Sequence, residues 1–145
     1  MVEENIEILL AEDNEDDILI TQRAFKRAKL LNGIHVVRDG EEAINYLMRQ
    51  GSYKDAKRPG LVLLDINMPK QNGWEVLHTI KTDPTLASIP VIMLTTSQQD
   101  EDVVRSYASG ACSFISKPVG FEDFQKLVDR FELYWVLVAR LPHTG

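Results

Sequence analysis

Asp65 follows Leu61-Val62-Leu63-Leu64, an apolar run too short for a helix and bounded by Gly60 and Pro69. Such a run predicts a strand buried on both faces, with a carboxylate at its carboxyl end, where open α/β sheets place their ligands. A second predicted strand, Ile6 to Ala11, also ends in acids, Glu12 and Asp13, and the turn behind it carries Asn14, Glu15, Asp16 and Asp17. Parallel strands of this kind point their carboxylates into one crevice, where like charges raise one another's pKa unless a cation neutralises them. A hard divalent ion meets that need, and Mg²⁺ takes one or two carboxylates, keeps several waters and shares other positions with a phosphoryl group. The predicted strands ending at Thr95 and Ser116 bring Thr95-Thr96 and Lys117 to the same edge. Acids, an acceptor carboxylate, a hydroxyl and an ammonium together suit phosphoryl transfer. A carboxylate attacks phosphorus to give an acyl phosphate, while metal, ammonium and hydroxyl neutralise the equatorial oxygens.

Periodicity and punctuation predict the elements that must hold these residues. A helix follows the first strand from Asp16 to Leu30, with Ile18, Phe25 and Ala28 on one face and acids first, bases last, as the helix dipole favours. Gly33 ends it, and Ile34 to Val37 make a short strand. Asp39 with Glu42 caps a helix through Ala43, Ile44 and Leu47 that stops at Gly51. Gly51 to Gly60 is a polar surface loop before the central strand. From Gly73 a helix turns Val76, Leu77 and Ile80 to one side and closes at Asp83-Pro84, because the residue before proline avoids helical geometry. Pro90 opens the strand Val91 to Leu94. Ser97 with Asp100 caps a helix from Gln98 to Ser109 with Val103, Val104 and Tyr107 facing inward. Gly110 ends that helix, Cys112 to Ser116 form the last strand, Pro118 breaks it, and a long helix runs from Phe121 to Arg140. Five strands alternating with five helices predict a parallel sheet with helices on both faces, in a single domain over residues 1–145.

A length of 145 residues suits one core. The net charge of -6 argues against nucleic acid, whose phosphate backbone demands a basic footprint. Cys112 alone cannot form an internal disulfide and no leader opens the chain, so a cytoplasmic location is expected. The most apolar run, Leu133 to Ala139, is far shorter than the roughly 20 residues of a membrane span. His35, His78 and His143 lie on different elements without ligand spacing, so surface or packing roles are expected for them.

Taken together, Ile6-Glu7-Ile8-Leu9-Leu10-Ala11-Glu12-Asp13, Leu63-Leu64-Asp65-Ile66-Asn67-Met68-Pro69, Leu94-Thr95-Thr96-Ser97 and Lys117-Pro118 resemble the receiver domain of two-component response regulators, the family of the chemotaxis receiver. The combination is specific, and it spans nearly the whole chain. Asp13-Asn14-Glu15-Asp16-Asp17, Arg23-Ala24-Phe25-Lys26-Arg27, Val37-Arg38-Asp39-Gly40, Gly51-Ser52-Tyr53 and Leu133-Tyr134-Trp135 further resemble the stand-alone regulators paired with bacterial phytochrome kinases. The resemblance implies a flavodoxin-like, doubly wound sheet of strand order 2-1-3-4-5. It implies Asp65 as phosphoacceptor and a Mg²⁺ site of Glu12, Asp13, Asp65 and the Asn67 backbone carbonyl. Thr95 would bond the phosphoryl oxygen and Lys117 would pair with it, while Phe114 stands at the switch aromatic position. Phenylalanine there keeps the packing role but lacks the hydroxyl of the tyrosine often found, and Thr96 is bulkier than the usual alanine or glycine. The implied partner is a sensor histidine kinase, and the chemistry is self-phosphorylation and self-dephosphorylation, not turnover.

In the last helix Phe121, Phe124, Leu127, Val128 and Phe131 make an inward stripe, but Leu133 to Val138 are apolar all round, so one face must cover something beyond its own sheet. The family often dimerises through its last two helices and last strand, which implies a homodimer there through Tyr134, Trp135, Leu137 and Val138. Because the chain ends at Gly145, output is expected through a partner or that dimer. Three other classes compete. An aspartyl-nucleophile phosphatase of the haloacid-dehalogenase pattern wants a second aspartate at position 67, which is Asn67. A flavodoxin-like electron carrier would need a phosphate loop where Glu12 to Asp17 repel an anion. A phosphorylation-independent docking module would not need Glu12, Asp13, Asp65, Thr95 and Lys117 all together.

Overall fold

The computed structural model describes residues 7–27, 33–106, 113–120 and the isolated positions 122 and 126. Its elements are β1 (Ile8–Ala11), α1 (Glu15–Arg27), β2 (Ile34–Val37), α2 (Gly40–Leu47), a 3₁₀ turn (Gly51–Tyr53), β3 (Leu61–Asp65), α3 (Gly73–Thr82), β4 (Val91–Thr95), α4 (Gln98–Ser106) and β5 (Ser113–Ser116). The strands pair in parallel in the order β2-β1-β3-β4-β5, the flavodoxin-like arrangement the motifs imply. Most of the predicted fifth helix falls outside the described residues, although Glu122 and Lys126 are helical.

Strand side chains alternate between two apolar layers, as the two-residue period requires. Leu9, Ala11, Val62, Leu64 and Met93 pack with Ala43 and Leu47 of α2, Val76, Leu77 and Ile80 of α3 and Val104 of α4. Ile8, Leu10, Leu61, Leu63, Ile92, Leu94 and Ile115 pack with Ile18, Ala24 and Phe25 of α1 and with Val119. Every residue of β1, β3 and β4 is buried, which explains why these strands read as unbroken apolar runs.

Local chemistry sets the ends. Asn14 Oδ1 accepts the Asp17 N–H at 2.9 Å, so α1 starts at Glu15, one residue earlier than predicted. Asp39 caps α2 through a 2.7 Å bond from the Glu42 N–H. Asn72 and Glu75 form a reciprocal capping box at α3, which the sequence reading did not single out. The Asp100 N–H donates to Ser97 Oγ at 3.1 Å, as the Ser97 cap predicts. α4 differs from expectation in one respect. Val104 is 1 % exposed but Val103 is 43 % exposed, because neighbouring helical residues diverge by about 100° and a narrow stripe admits only one of them. Tyr107, also expected inward, lies outside the described residues.

Two glycines hold the turn after β3 close. A Cβ on Gly40 would run into the Gln71 carbonyl, and one on Gly73 would run into the Asp65 carbonyl oxygen and come within 2.8 Å of Ile66 Cα. Only residues without a side chain let α2 and α3 begin against the backbone that leaves Asp65. The loop from Gly51 to Gly60 is pinned from above. The Tyr53 hydroxyl donates to Glu42 Oε2 at 2.6 Å, and its ring meets Tyr46 and His35 edge-on, His35 itself stacking on Tyr46 at 4.5 Å. That gives His35 the packing role expected of it. His78 is exposed on α3.

Candidate functional site

Parallel register places the carboxyl ends of four strands along one rim. Ala11 lies beside Leu64, Asp65 beside Leu94, and Thr95 beside Ser116, so Glu12, Asp65, Thr95 and Lys117 emerge together from separate points in the chain. The Lys117 N–H donates to the Thr95 carbonyl at 2.7 Å, and the peptide from Lys117 to Pro118 is cis.

Lys117 Nζ is the centre of the cluster. It lies 3.1 Å from Asp65 Oδ1, 3.1 Å from Glu12 Oε1 and 3.1 Å from Asp17 Oδ2. Carboxylate oxygens of Glu12, Asp13 and Asp65 all fall within 4.8 Å of one another. Glu12 and Asp65 are buried and Asp13 is exposed, so the trio opens to water on one side. All three donors are hard anionic oxygens, the set that fits a divalent ion of the magnesium or manganese kind. Asn67, whose carbonyl the resemblance adds to this set, is exposed in the turn just after β3.

Burial, then the charge of Asp65, pushes the Glu12 carboxyl up from 4.5 to about 7, against the bonds it accepts from Asn14 and Lys117. Burial also works to lower the Lys117 ammonium, but the Asp17 hydrogen bond and the charges of Asp65 and Glu12 outweigh it and hold the group above the ordinary lysine value. The site therefore keeps its cation while one of its acids sits near neutrality, a perturbation typical of functional clusters.

Thr95 is fully buried, and its hydroxyl is engaged by neighbours on α4 and β5. It makes long contacts, 3.3 Å to Glu101 Oε2 and 3.4 Å to the Ile115 carbonyl. Thr96 is exposed. Phe114 is half-buried and packs against the layer that contains Met93 and Val104. Tyr134, Trp135, Leu137 and Val138 lie outside the described residues.

Two residues at the site were not singled out in the sequence. Asp17 belongs to the acidic turn in the sequence, but its 3.1 Å contact with Lys117 brings together residues 100 positions apart, which no local pattern reveals. Glu101 accepts from Ser116 Oγ at 2.6 Å as well as from Thr95, joining α4 to the ends of β4 and β5. Its signal was faint: an acid in the first turn of a helix is ordinarily explained by the helix dipole alone.

Residues 8–129 match the family of the response regulator receiver domain. Response regulator Rcp1 of Synechocystis is 38 % identical over 135 residues, covering 93 % of this chain and 92 % of its own. Its Mn²⁺-bound crystal structure superposes with a TM-score of 0.75, over 94 % of this chain and 99 % of that one. The bacteriophytochrome response regulator AtBRR is 43 % identical with a TM-score of 0.83, covering 93 % of this chain and 98 % of that one. The phosphorylated cyanobacterial phytochrome response regulator RcpA is 41 % identical with a TM-score of 0.76, covering 96 % and 99 %. With the family match spanning most of the chain and these relatives 38–43 % identical over more than nine-tenths of it, the chain belongs to the response regulator receiver domain family.

Proposed function

We propose that Asp65 accepts a phosphoryl group from the phosphohistidine of a sensor histidine kinase, in a Mg²⁺-dependent reaction. The observation that carries this reading is the Lys117 ammonium 3.1 Å from Asp65 Oδ1, beside the Glu12-Asp13-Asp65 trio. In the transfer, an Asp65 oxygen attacks phosphorus, the P–N bond to the kinase imidazole breaks and the imidazole leaves with a proton. Lys117 pairs with a phosphoryl oxygen, a role its 3.1 Å distance from Asp65 supports, and the Thr95 hydroxyl turns from its long contacts toward another. Glu12, Asp13, Asp65 and the Asn67 carbonyl would hold the metal, as the Mn²⁺-bound form of Rcp1 supports. Bound Mg²⁺ supplies positive charge to the oxygens of the moving phosphoryl group. Attack of water on the acyl phosphate returns Asp65 to a carboxylate, so the chemistry is the protein's own phosphorylation and dephosphorylation, and receiver domains generally are not classical enzymes.

The phosphorylated relative RcpA supports the acceptor role, and the phytochrome regulators among its relatives support a phytochrome kinase as donor. The signal passes through Thr95 and Phe114 to β5 and the last two helices, where Tyr134, Trp135, Leu137 and Val138 form a homodimer seam. No helix among the described residues is long and apolar enough to cross a membrane, and a cytoplasmic location suits the donor. The test is intact-mass analysis after incubation with acetyl phosphate and Mg²⁺. Wild type is expected to gain one phosphoryl group and Asp65→Asn none; equal labelling of both moves the acceptor elsewhere.

A further inference from the structure

Lys117 has three carboxylate neighbours, and they are not equivalent. Glu12 and Asp65 belong to the trio whose oxygens lie within 4.8 Å of one another; Asp17 does not. Glu12 is fully enclosed and Asp65 nearly so, whereas the Asp17 side chain is 24 % exposed. Asp17 is also held firmly from both sides: its N–H donates to Asn14 Oδ1 at 2.9 Å and its carbonyl accepts from the buried Thr21 hydroxyl at 2.8 Å. α1 thus offers the ammonium a carboxylate carried on a hydrogen-bonded backbone, 3.1 Å from Lys117 Nζ.

An ammonium and a divalent cation compete for the same buried oxygens. Each Lys117 contact to Glu12 and Asp65 neutralises charge that a metal would otherwise use. A carboxylate outside the metal set, on a rigid helix start, gives Lys117 a partner that a bound metal does not compete for. We propose that Asp17 is a positioning residue whose pull on the Lys117 ammonium, shared in this structure with Glu12 and Asp65 at 3.1 Å each, keeps Lys117 seated when a divalent ion takes those two carboxylates. This rests on the reading of Glu12, Asp13 and Asp65 as metal ligands. The pull also sets where the ammonium stands when a phosphoryl group arrives on Asp65.

Acting through Lys117 distinguishes this role from simple attraction between Asp17 and the metal. Without Asp17, the ammonium has only Glu12 and Asp65 left to pair with and competes with the metal for both; without Lys117, Asp17 has no cation to hold. The experiment measures Mn²⁺ binding by electron paramagnetic resonance, which counts the free ion, in four proteins: wild type, Asp17→Asn, Lys117→Met and the double variant. Asp17→Asn is expected to weaken Mn²⁺ binding about tenfold, the loss typical of a group that orients metal ligands from outside. In the Lys117→Met background the same change is expected to have less than about a twofold effect, as residues coupled through one shared partner lose their separate effects when it is gone. Equal weakening in both backgrounds, or none in the presence of Lys117, overturns the proposal. Asp17→Ser, which keeps a short polar side chain in the first turn of α1, carries the same comparison if the asparagine variant does not fold. Asp13→Asn separates the two readings: if it leaves Mn²⁺ binding intact, or wild type binds none, the metal reading itself fails, whereas its loss of binding beside an unaffected Asp17→Asn rejects the Asp17 role alone.

Discussion

Glu12 shows no exposed surface and still faces Asp65 across the rim, so its ionisation is opposed from two directions. A carboxyl whose folded pKa of about 7 lies above its unfolded 4.5 binds more protons in the native state than in the unfolded one. Its contribution to stability is therefore fully present below pH 4.5 and is lost as pH rises through about 7. The limit is about 3 kcal/mol at 1.36 kcal/mol per pKa unit. In metal-free buffer, thermal stability is expected to fall across that window, and Glu12→Gln is expected to flatten the fall. Mg²⁺, which needs the ionised carboxylates, is expected to raise the melting temperature far more at about pH 8 than at about pH 5. Scanning fluorimetry at the two pH values checks this, and equal stabilisation at both contradicts it. The residues at the rim were legible because each ends a strand that is itself legible: Asp65 after Leu61 to Leu64, Lys117 after β5. The direction of the Thr95 hydroxyl, toward Glu101 and Ile115, was not, since hydroxyl orientation is set by neighbours that arrive from other elements.

At the scale of elements, the start of α3 closes directly on the backbone of Asp65, the proposed acceptor. The Gly73 N–H donates to the Ile66 carbonyl at 2.8 Å, and the space a Cβ needs is taken by the backbone of Asp65 and Ile66, which cannot swing aside as a flexible side chain would. Gly73→Ala is expected to cost about 1–3 kcal/mol, as overpacking in a tight site does. Because the displaced backbone is that of the proposed acceptor, the rate of labelling by acetyl phosphate is expected to fall with it. Denaturant unfolding and the labelling time course check the two parts; unchanged stability contradicts the close approach. Gly73 was legible as a helix start, yet nothing in a linear sequence tells that Asp65 would stand behind it. The loop from Gly51 to Gly60 was legible as a polar connection, but its Tyr53 tether to Glu42 depends on α2 and the loop meeting in space. Val103 was misplaced because adjacent apolar residues on a short helix offer two equally good inward stripes, and packing on β4 and β5 chooses between them.

For the whole molecule, the parallel sheet and both apolar layers follow from apolar runs separated by helical periods, since parallel strands need crossovers and crossovers cover both faces, whereas the strand order came with the family resemblance. What pattern alone leaves open is assembly. The apolar stretch Leu133 to Val138 calls for a cover, and a homodimer seam is the reading proposed for it. Size-exclusion chromatography with light scattering is expected to give a dimer for wild type and a monomer for Trp135→Glu, the outcome typical of a charge placed on an aromatic anchor. A wild-type monomer contradicts the seam. The central claim, that the rim exists to load a phosphoryl group on one aspartate, is tested most directly by trapping the acyl phosphate. After acetyl phosphate and Mg²⁺, borohydride reduces an aspartyl phosphate to homoserine, and peptide mass spectrometry locates it. Homoserine at position 65 is the predicted result; homoserine at another aspartate, or none, would contradict the account.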